Sequence, residues 1–405
     1  MNRLTTPRAY CLVWIAKQHN ETTGGRAAKA CNETVKMKIT RLSVYQKDLP
    51  LKDPYWLSGG RLKFEVLDAT FIKVETDAGI TGWGEGTPWG HTYVPAHGPG
   101  IRAGIETMAP AILGQDPRKI ELVERSMDLC LPGHLYAKAP VDLACWDIAG
   151  KAFELPVADL LGGRRRNGTP AASSVSSGEP DYMMGIINSY REMGYVAHSA
   201  KVGGSNTDKD IERIRHIEAN RLPGEIVLYD VNRAWTRREA SIVMNAVADL
   251  GVTFEQPGET LDDIAQIRSV TTSPVSVDES LVTLQDAARI ARDGLADVFG
   301  IKLNRVGGLT KARRMRDIAM AHGIQMFIMA TGGSVMADTE AAHLAQSIPD
   351  EFIKACWSCQ DMLTVDVAPG SGPRCVDGFI TIDDTPGLGV VPDESLLGAP
   401  VAVYS

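Results

Sequence analysis

The sequence predicts an α/β protein, a parallel β/α barrel of the TIM type preceded by a smaller α+β domain. From about Thr169, short apolar strands recur roughly every 20 to 30 residues, each followed by an amphipathic helical stretch. Eight such units follow in succession, and eight consecutive β-then-α units close into a barrel. Upstream, from Met37 to about Leu161, strands come first and helices after, as in a separate α+β unit.

In that first unit, Ile39–Gln46 and Ala69–Thr76 alternate apolar and polar residues as half-buried strands do. Ile80–Gly86 returns as their partner after the turn Asp77-Ala78-Gly79. The run Gly82-Trp83-Gly84-Glu85-Gly86 resembles a phosphate loop only superficially, because it lacks the Lys-Ser/Thr and the following helix. Helices are predicted over Gly100–Leu113, Arg118–Leu129 and Ala139–Phe153, with Gly162-Gly163 as a stop. The barrel strands are predicted at Pro170–Ser176, Ala197–Val202, Ile226–Val231, Thr253–Gln256, Val275–Asp278, Val298–Leu303, Gln325–Ala330 and Ile353–Cys356. Residues 1–36 show no sustained period and read as a disordered extension or the product of a misplaced start codon, with a transit peptide as the other reading. The expected domains are residues 37–161 and a barrel over 162–374, with 375–405 returning to the first domain.

A chain of 405 residues suits this two-domain division. Hydrophobic content of 44% and charged content of 23% are those of an ordinary soluble globular protein. The net charge is −8, and residues 1–36 carry six Lys/Arg against two Glu, so the acidic balance belongs to the rest. No basic run exceeds Arg164-Arg165-Arg166, read as a solvated loop, so no nucleic-acid partner is expected. No segment approaches the ~20 apolar residues of a membrane span, so no membrane partner is expected either. Seven scattered cysteines point to a reducing, cytoplasmic setting. Cys356 and Cys359 form an isolated C-x-x-C without a second pair at zinc spacing and read as structural residues on or after a buried strand.

Functional groups of such barrels sit at the C-terminal ends of the strands. Three successive strand ends there carry Asp230, Glu255 and Asp278, spaced by one β/α unit each. Adjacent strands lie ~4.8 Å apart, so the three side chains can aim at one point. Packed together unpaired they would repel, and a divalent cation resolves the conflict. Oxygen-only ligands favour Mg²⁺ over zinc. Lys201 and Lys302 end the flanking strands two and six, on opposite sides of the barrel. Enclosure by protein and a nearby dication would both lower a lysine's pKa and allow it to act as a base. Alone, each carboxylate is better explained as a helix cap or ion-pair partner, and each lysine as solvent-facing. Five in consecutive register make a costly structural network, and a site accounts for them better.

With these residues in place, the sequence resembles the enolase superfamily, in its muconate-lactonizing-enzyme-like subgroup. The resemblance rests on Ala200-Lys201-Val202-Gly203, Asp230-Val231-Asn232, Glu255-Gln256-Pro257, Val277-Asp278-Glu279-Ser280 and Lys302-Leu303-Asn304-Arg305-Val306-Gly307-Gly308, and covers Met37 to the C-terminus. It implies a modified (β/α)₇β barrel under an N-terminal capping domain. It also implies that Asp230, Glu255 and Asp278 bind Mg²⁺ and that Lys201 and Lys302 are the acid/base pair. The implied reaction begins with α-proton removal from a small carboxylate to give an enediolate, the strategy known for this superfamily. Where the subgroup has Lys-x-Lys on strand two, this chain has Ser199, and the auxiliary lysine is missing. The segments Tyr136–Pro140 and Asp384–Val390 resemble hydroxyproline betaine epimerases and cis-3-hydroxy-L-proline dehydratases. The dehydratase is the expected activity, an epimerase or racemase the alternative, and a non-catalytic metal-binding ligand sensor the reading of another class. Candidate substrate contacts are Tyr55, Trp56, Ser199, Asn232, Thr331 and Trp357, with the loops around Tyr55-Trp56 and over Trp89–His97 closing the site. Cys359 and the small residues and backbone amides of Ala330–Ser334 are further candidates. A homo-oligomer is expected from family habit.

Overall fold

The computed structural model describes residues 36–405 except 165–167 and 205. The expectations for residues 1–35, and for Arg165 and Arg166, lie outside the described residues. Three antiparallel strands, β1 (Ile39–Leu57), β2 (Leu62–Thr76) and β3 (Thr81–Gly86), form the sheet of the first domain. Three helices follow: α1 (Gly98–Ile112), α2 (Ile120–Cys130) and α3 (Leu135–Phe153). Helix α3 is buried over most of its length. β3 lies so close to it that a Cβ on Gly82 or Gly84 would collide with the carbonyl oxygens of Ala144 or Pro140. That contact explains the glycine run without a phosphate. β1 and β2 extend well beyond their expected lengths. After a register shift between Pro50 and Tyr55, the pair continues as a projecting hairpin over the barrel mouth.

The barrel is β4 (Thr169–Val175), β5 (Ala197–Lys201), β6 (Ile226–Asp230), β7 (Thr253–Glu255), β8 (Val275–Val277), β9 (Val298–Lys302), β10 (Gln325–Met329) and β11 (Ile353–Trp357). All neighbours are parallel, and β11 pairs with β4 to close the ring. Each lies within about one residue of its expected place. The helices after β6, β7 and β8 start at Thr236, Thr260 and Thr283, each bonded reciprocally to an acid three residues on. These capping boxes satisfy otherwise orphaned backbone donors and fix where each strand-end loop stops. A helix of at least two turns follows every barrel strand but the last. β11 leads only to the single turn Gln360–Met362, which makes the barrel (β/α)₇β.

The tail corrects one expectation. β12 (Cys375–Val376) and β13 (Phe379–Ile380) form a hairpin, and β13 pairs antiparallel with Thr169 and Pro170 of β4. This stretch stays with the barrel. The rest of the tail returns to the first domain: the Leu388 amide donates to Asp147 of α3, Glu394 pairs with Lys73 and accepts from Tyr45, and the last strand, β14 (Ala402–Tyr404), pairs with β1. Two residues of apolar sequence at Phe379-Ile380 satisfy either sheet edge, so pattern alone does not choose between them. Among the described residues, no helix is long and apolar enough to cross a membrane.

Candidate active site

The closed strand order fixes the geometry of the mouth. β5 and β9 are four strands apart in a ring of eight, so Lys201 and Lys302 face each other across it. The three carboxylates occupy the arc between them, ending β6 and β7 and directly following β8. The register aligns Lys201 with Asp230 and Asp230 with Glu255. The other arc carries Met329, Thr331 and Trp357. One half of the mouth is thus charged and the other mainly apolar.

All five charged side chains are buried, and burial sets their behaviour. Lys201 pairs with Asp230. Burial by itself would lower the Lys201 pKa, but Asp230, Tyr55 and Glu255 outweigh it and hold it raised. The expected lowering presupposes a bound dication, which would offset these negative groups. Lys302 Nζ lies 2.6 Å from Asp278 Oδ2, and the Arg305 guanidinium pairs with the other oxygen of Asp278. Burial pushes Asp278 up, yet Arg305 and Lys302 together hold its carboxyl below the usual range.

Glu255 has no such partner. Its Oε1 is buried without a hydrogen bond, and burial, reinforced by Asp230 and Asp278, raises its pKa well above the ordinary carboxylate value. Gly300 leaves the space this oxygen occupies, since a Cβ there would press on it at 3.0 Å. A buried, uncompensated carboxylate between two others is the environment a hard dication fits. The donors are oxygen only. The three carboxylates do not converge as they stand: among the described residues no three acidic, His or Cys groups are arranged around one point. Asp230 and Asp278 are turned to the cations on either side, Lys201 for the first and Lys302 and Arg305 for the second.

Backbone strain holds these ends in place. Asn232, Arg233 and Gln256 all have positive φ, of 45°, 62° and 44°. Such conformations persist only where the surroundings enforce them. Here Asn232 N donates to Asp230 Oδ1 at 3.0 Å, and Gln256 Oε1 accepts from the backbone of Asp278 at 3.1 Å and Ser280 at 3.2 Å. Asp230 and Asp278 are thereby tied to their neighbours' loops.

The roof comes from the first domain. Tyr55 stacks on Trp89 at 5.2 Å, and Trp89 contacts Trp357 of β11 at 6.0 Å. Tyr55 also places its ring 5.9 Å from Lys201 Nζ. The space between these walls, with the open solvent at its mouth, is about 340 Å³. Tyr55, Ser199, Asn232, Thr331 and Trp357 line this space, as do Lys201, Lys302, Asp230 and Glu255. Asp278 sits just behind it, bonded to Lys302. Trp56 does not line it. It is 40% exposed and packs on Lys63, because strand alternation sends it to the face opposite Tyr55. Cys359 is also outside, fully buried with its amide on Asp338. The Ser334 amide is taken by Glu85. Leu57, Trp89, Tyr93 and Met329 line the pocket without having been singled out, although the loop carrying Trp89 and Tyr93 was expected to close the site.

Comparison with known proteins agrees with this architecture. Residues 39–162 match the mandelate racemase / muconate lactonizing enzyme N-terminal domain, and residues 186–396 match the enolase C-terminal domain-like family. A cis-3-hydroxy-L-proline dehydratase from Roseibium aggregatum is 40% identical over 91% of this chain and all of its own length. An N-succinyl-L-Arg/Lys racemase from Bacillus cereus is 31% identical over 89% of this chain and 97% of its own. The solved structure of an enolase superfamily member from Roseovarius nubinhibens ISM, complexed with magnesium, is 49% identical, with a TM-score of 0.88 over 91% of this chain and all of that one. Barrel, capping domain and both family matches together place this chain among the mandelate racemase / muconate lactonizing enzymes of the enolase superfamily.

Proposed function

We propose that this enzyme is a Mg²⁺-dependent dehydratase of cis-3-hydroxy-L-proline, forming Δ¹-pyrroline-2-carboxylate. The observation that carries the reading is the pair of lysines on opposite strands, facing one small pocket beside an orphaned carboxylate. The full-length similarity to a dehydratase of that substrate supports it. Asp230, Glu255 and Asp278 would hold the ion. Bound there, Mg²⁺ supplies a Lewis acid for the substrate carboxylate and steadies the negative charge that develops as the α-proton leaves.

The chain's own groups do the rest. In cis-3-hydroxy-L-proline the α-hydrogen and the 3-hydroxyl lie on opposite ring faces. One lysine, neutral, takes the proton from Cα. The lysine across the pocket, as ammonium, gives a proton to the departing oxygen as the C3–O bond breaks, and water leaves. The electron pair of the Cα–H bond becomes the Cα–C3 double bond, and the enamine tautomerises to the cyclic imine. The aromatic roof of Tyr55, Trp89 and Trp357 excludes water and offers ring faces to the substrate ammonium.

A second reading has its own support. Two opposed bases serve 1,1-proton transfer equally well, and the racemase relative is similar over nearly the whole chain. The deciding experiment is ¹H NMR in D₂O with Mg²⁺ and, separately, cis-3-hydroxy-L-proline, L-proline and 4-hydroxyproline betaine. A pyrroline product from the first supports the dehydratase. Deuterium at Cα with inversion and no elimination supports the racemase or epimerase, and no change in any of the three overturns the substrate assignment.

A further inference from the structure

Tyr93 joins the capping domain to the acid/base machinery. It lies on the loop between β3 and α1 and is 4% exposed. Its hydroxyl oxygen accepts a hydrogen bond from Lys302 Nζ at 3.0 Å and donates to Asp278 Oδ2 at 3.2 Å. Its ring centroid is 5.2 Å from the same Nζ. Lys302 therefore meets Tyr93 through both hydroxyl and ring.

The loop is anchored where the chemistry is. Arg233 Nη2 donates to the Tyr93 carbonyl at 3.0 Å, and its guanidinium carbon lies 5.9 Å from the Tyr93 ring. Arg233 holds a left-handed backbone three residues after Asp230 and reaches Glu259 at 3.3 Å and Glu279 at 3.8 Å, beyond β7 and β8. A capping-domain loop is thus fastened to three barrel strand ends, and what it delivers is the Tyr93 hydroxyl.

We propose that Tyr93 is a positioning residue for Lys302, a capping-domain hydroxyl that orients one of the two lysines. The physical reason is directional. A hydroxyl already donating to Asp278 can only accept from the amine, so it fixes one N–H of Lys302 and leaves the remaining directions for the pocket. Lys201 has its ion-pair partner on the adjacent strand and faces a different first-domain residue, Tyr55. The inference rests on the proposed two-lysine chemistry.

The test is Tyr93→Phe, which keeps the ring and removes the hydroxyl. Exchange of the α-hydrogen into D₂O is followed for both proline enantiomers, with Lys302→Ala showing which one presents its hydrogen to Lys302. Tyr93→Phe should slow that exchange roughly 10- to 100-fold, leave the other enantiomer's exchange within about twofold, and lower kcat for elimination with KM little changed. Equal loss on both faces, no loss, or a change confined to KM would overturn the proposal. A crystal structure of the variant gives a readout that needs no turnover: Lys302 Nζ should leave its present place, and an unmoved side chain contradicts the role. Lack of turnover by the unsubstituted enzyme would overturn the proposed activity, and the crystal structure would still decide on Tyr93.

Discussion

Buried carboxylates occur in two regions of this molecule, and they are treated differently. Where the capping domain meets the barrel, Glu85 accepts from the hydroxyls of Thr87 and Ser334 and from the amides of Ser334 and Ala337. Asp147 accepts from the amides of Trp83 and Leu388 and from Lys151, and Asp142 from the amide and hydroxyl of Thr310. These acids tie elements together, and most of their oxygens are satisfied. At the barrel mouth, Glu255 keeps an unpartnered oxygen, and Asp230 and Asp278 are held by lysines that the proposed reaction needs. Burial alone does not distinguish a site from a structural network. Nor does an orphaned oxygen, which Glu340 beside Glu85 also keeps; an orphan flanked by two further acids and facing two lysines across one pocket does.

The largest expected effect follows from that contrast. Glu255→Gln should weaken Mg²⁺ binding more than about 100-fold, yet stabilise the metal-free protein at neutral pH by roughly 1 to 3 kcal/mol, because on folding the carboxyl must either take up a proton or carry a buried charge. Calorimetric titration and urea unfolding would read the two. An unchanged metal affinity would show that the orphaned oxygen is not a ligand.

Proton competition gives a second test. Because the Glu255 pKa is raised, a proton must leave before a cation can bind. Mg²⁺ affinity should therefore rise with pH from the ordinary carboxylate range until Glu255 ionises, with proton release seen as a dependence of the binding enthalpy on buffer. In Glu255→Gln that release should shrink.

The structural acids should answer differently. Asp147→Asn places an amide against two backbone N–H donors and should cost about 1 to 3 kcal/mol of stability while leaving kcat unchanged. The smallest effect concerns pH. Burial raises the Asp142 pKa from 3.8 to about 6. The folded protein binds this proton more tightly than the unfolded chain, so its contribution is present at low pH and lost as pH rises through about 6. The stability of the parent relative to Asp142→Asn should decline across that window, and a constant difference would contradict the buried assignment.

The chemistry was legible in the sequence because barrel topology converts spacing into geometry. Asp230, Glu255 and Asp278 fall at successive strand ends, and Lys201 and Lys302 flank them at positions that an eight-fold ring makes opposite. The roof was harder to read. The register shift between Pro50 and Tyr55 sets which of Tyr55 and Trp56 points inward, and alternation counted from the start of β1 does not cross it. Trp89 and Tyr93 lie on a loop with no period, so their partners across the domain boundary leave no local trace. The lysine charge state depends on which groups face Lys201 in space, and a place at a strand end does not name them.

The most direct test follows cis-3-hydroxy-L-proline in D₂O with Mg²⁺, using the unsubstituted enzyme beside Lys201→Ala and Lys302→Ala. The account predicts pyrroline formation by the enzyme, elimination reduced on the order of 10³-fold or more in both variants, and α-hydrogen exchange surviving in the one that keeps the base. Elimination that persists in either variant would contradict it.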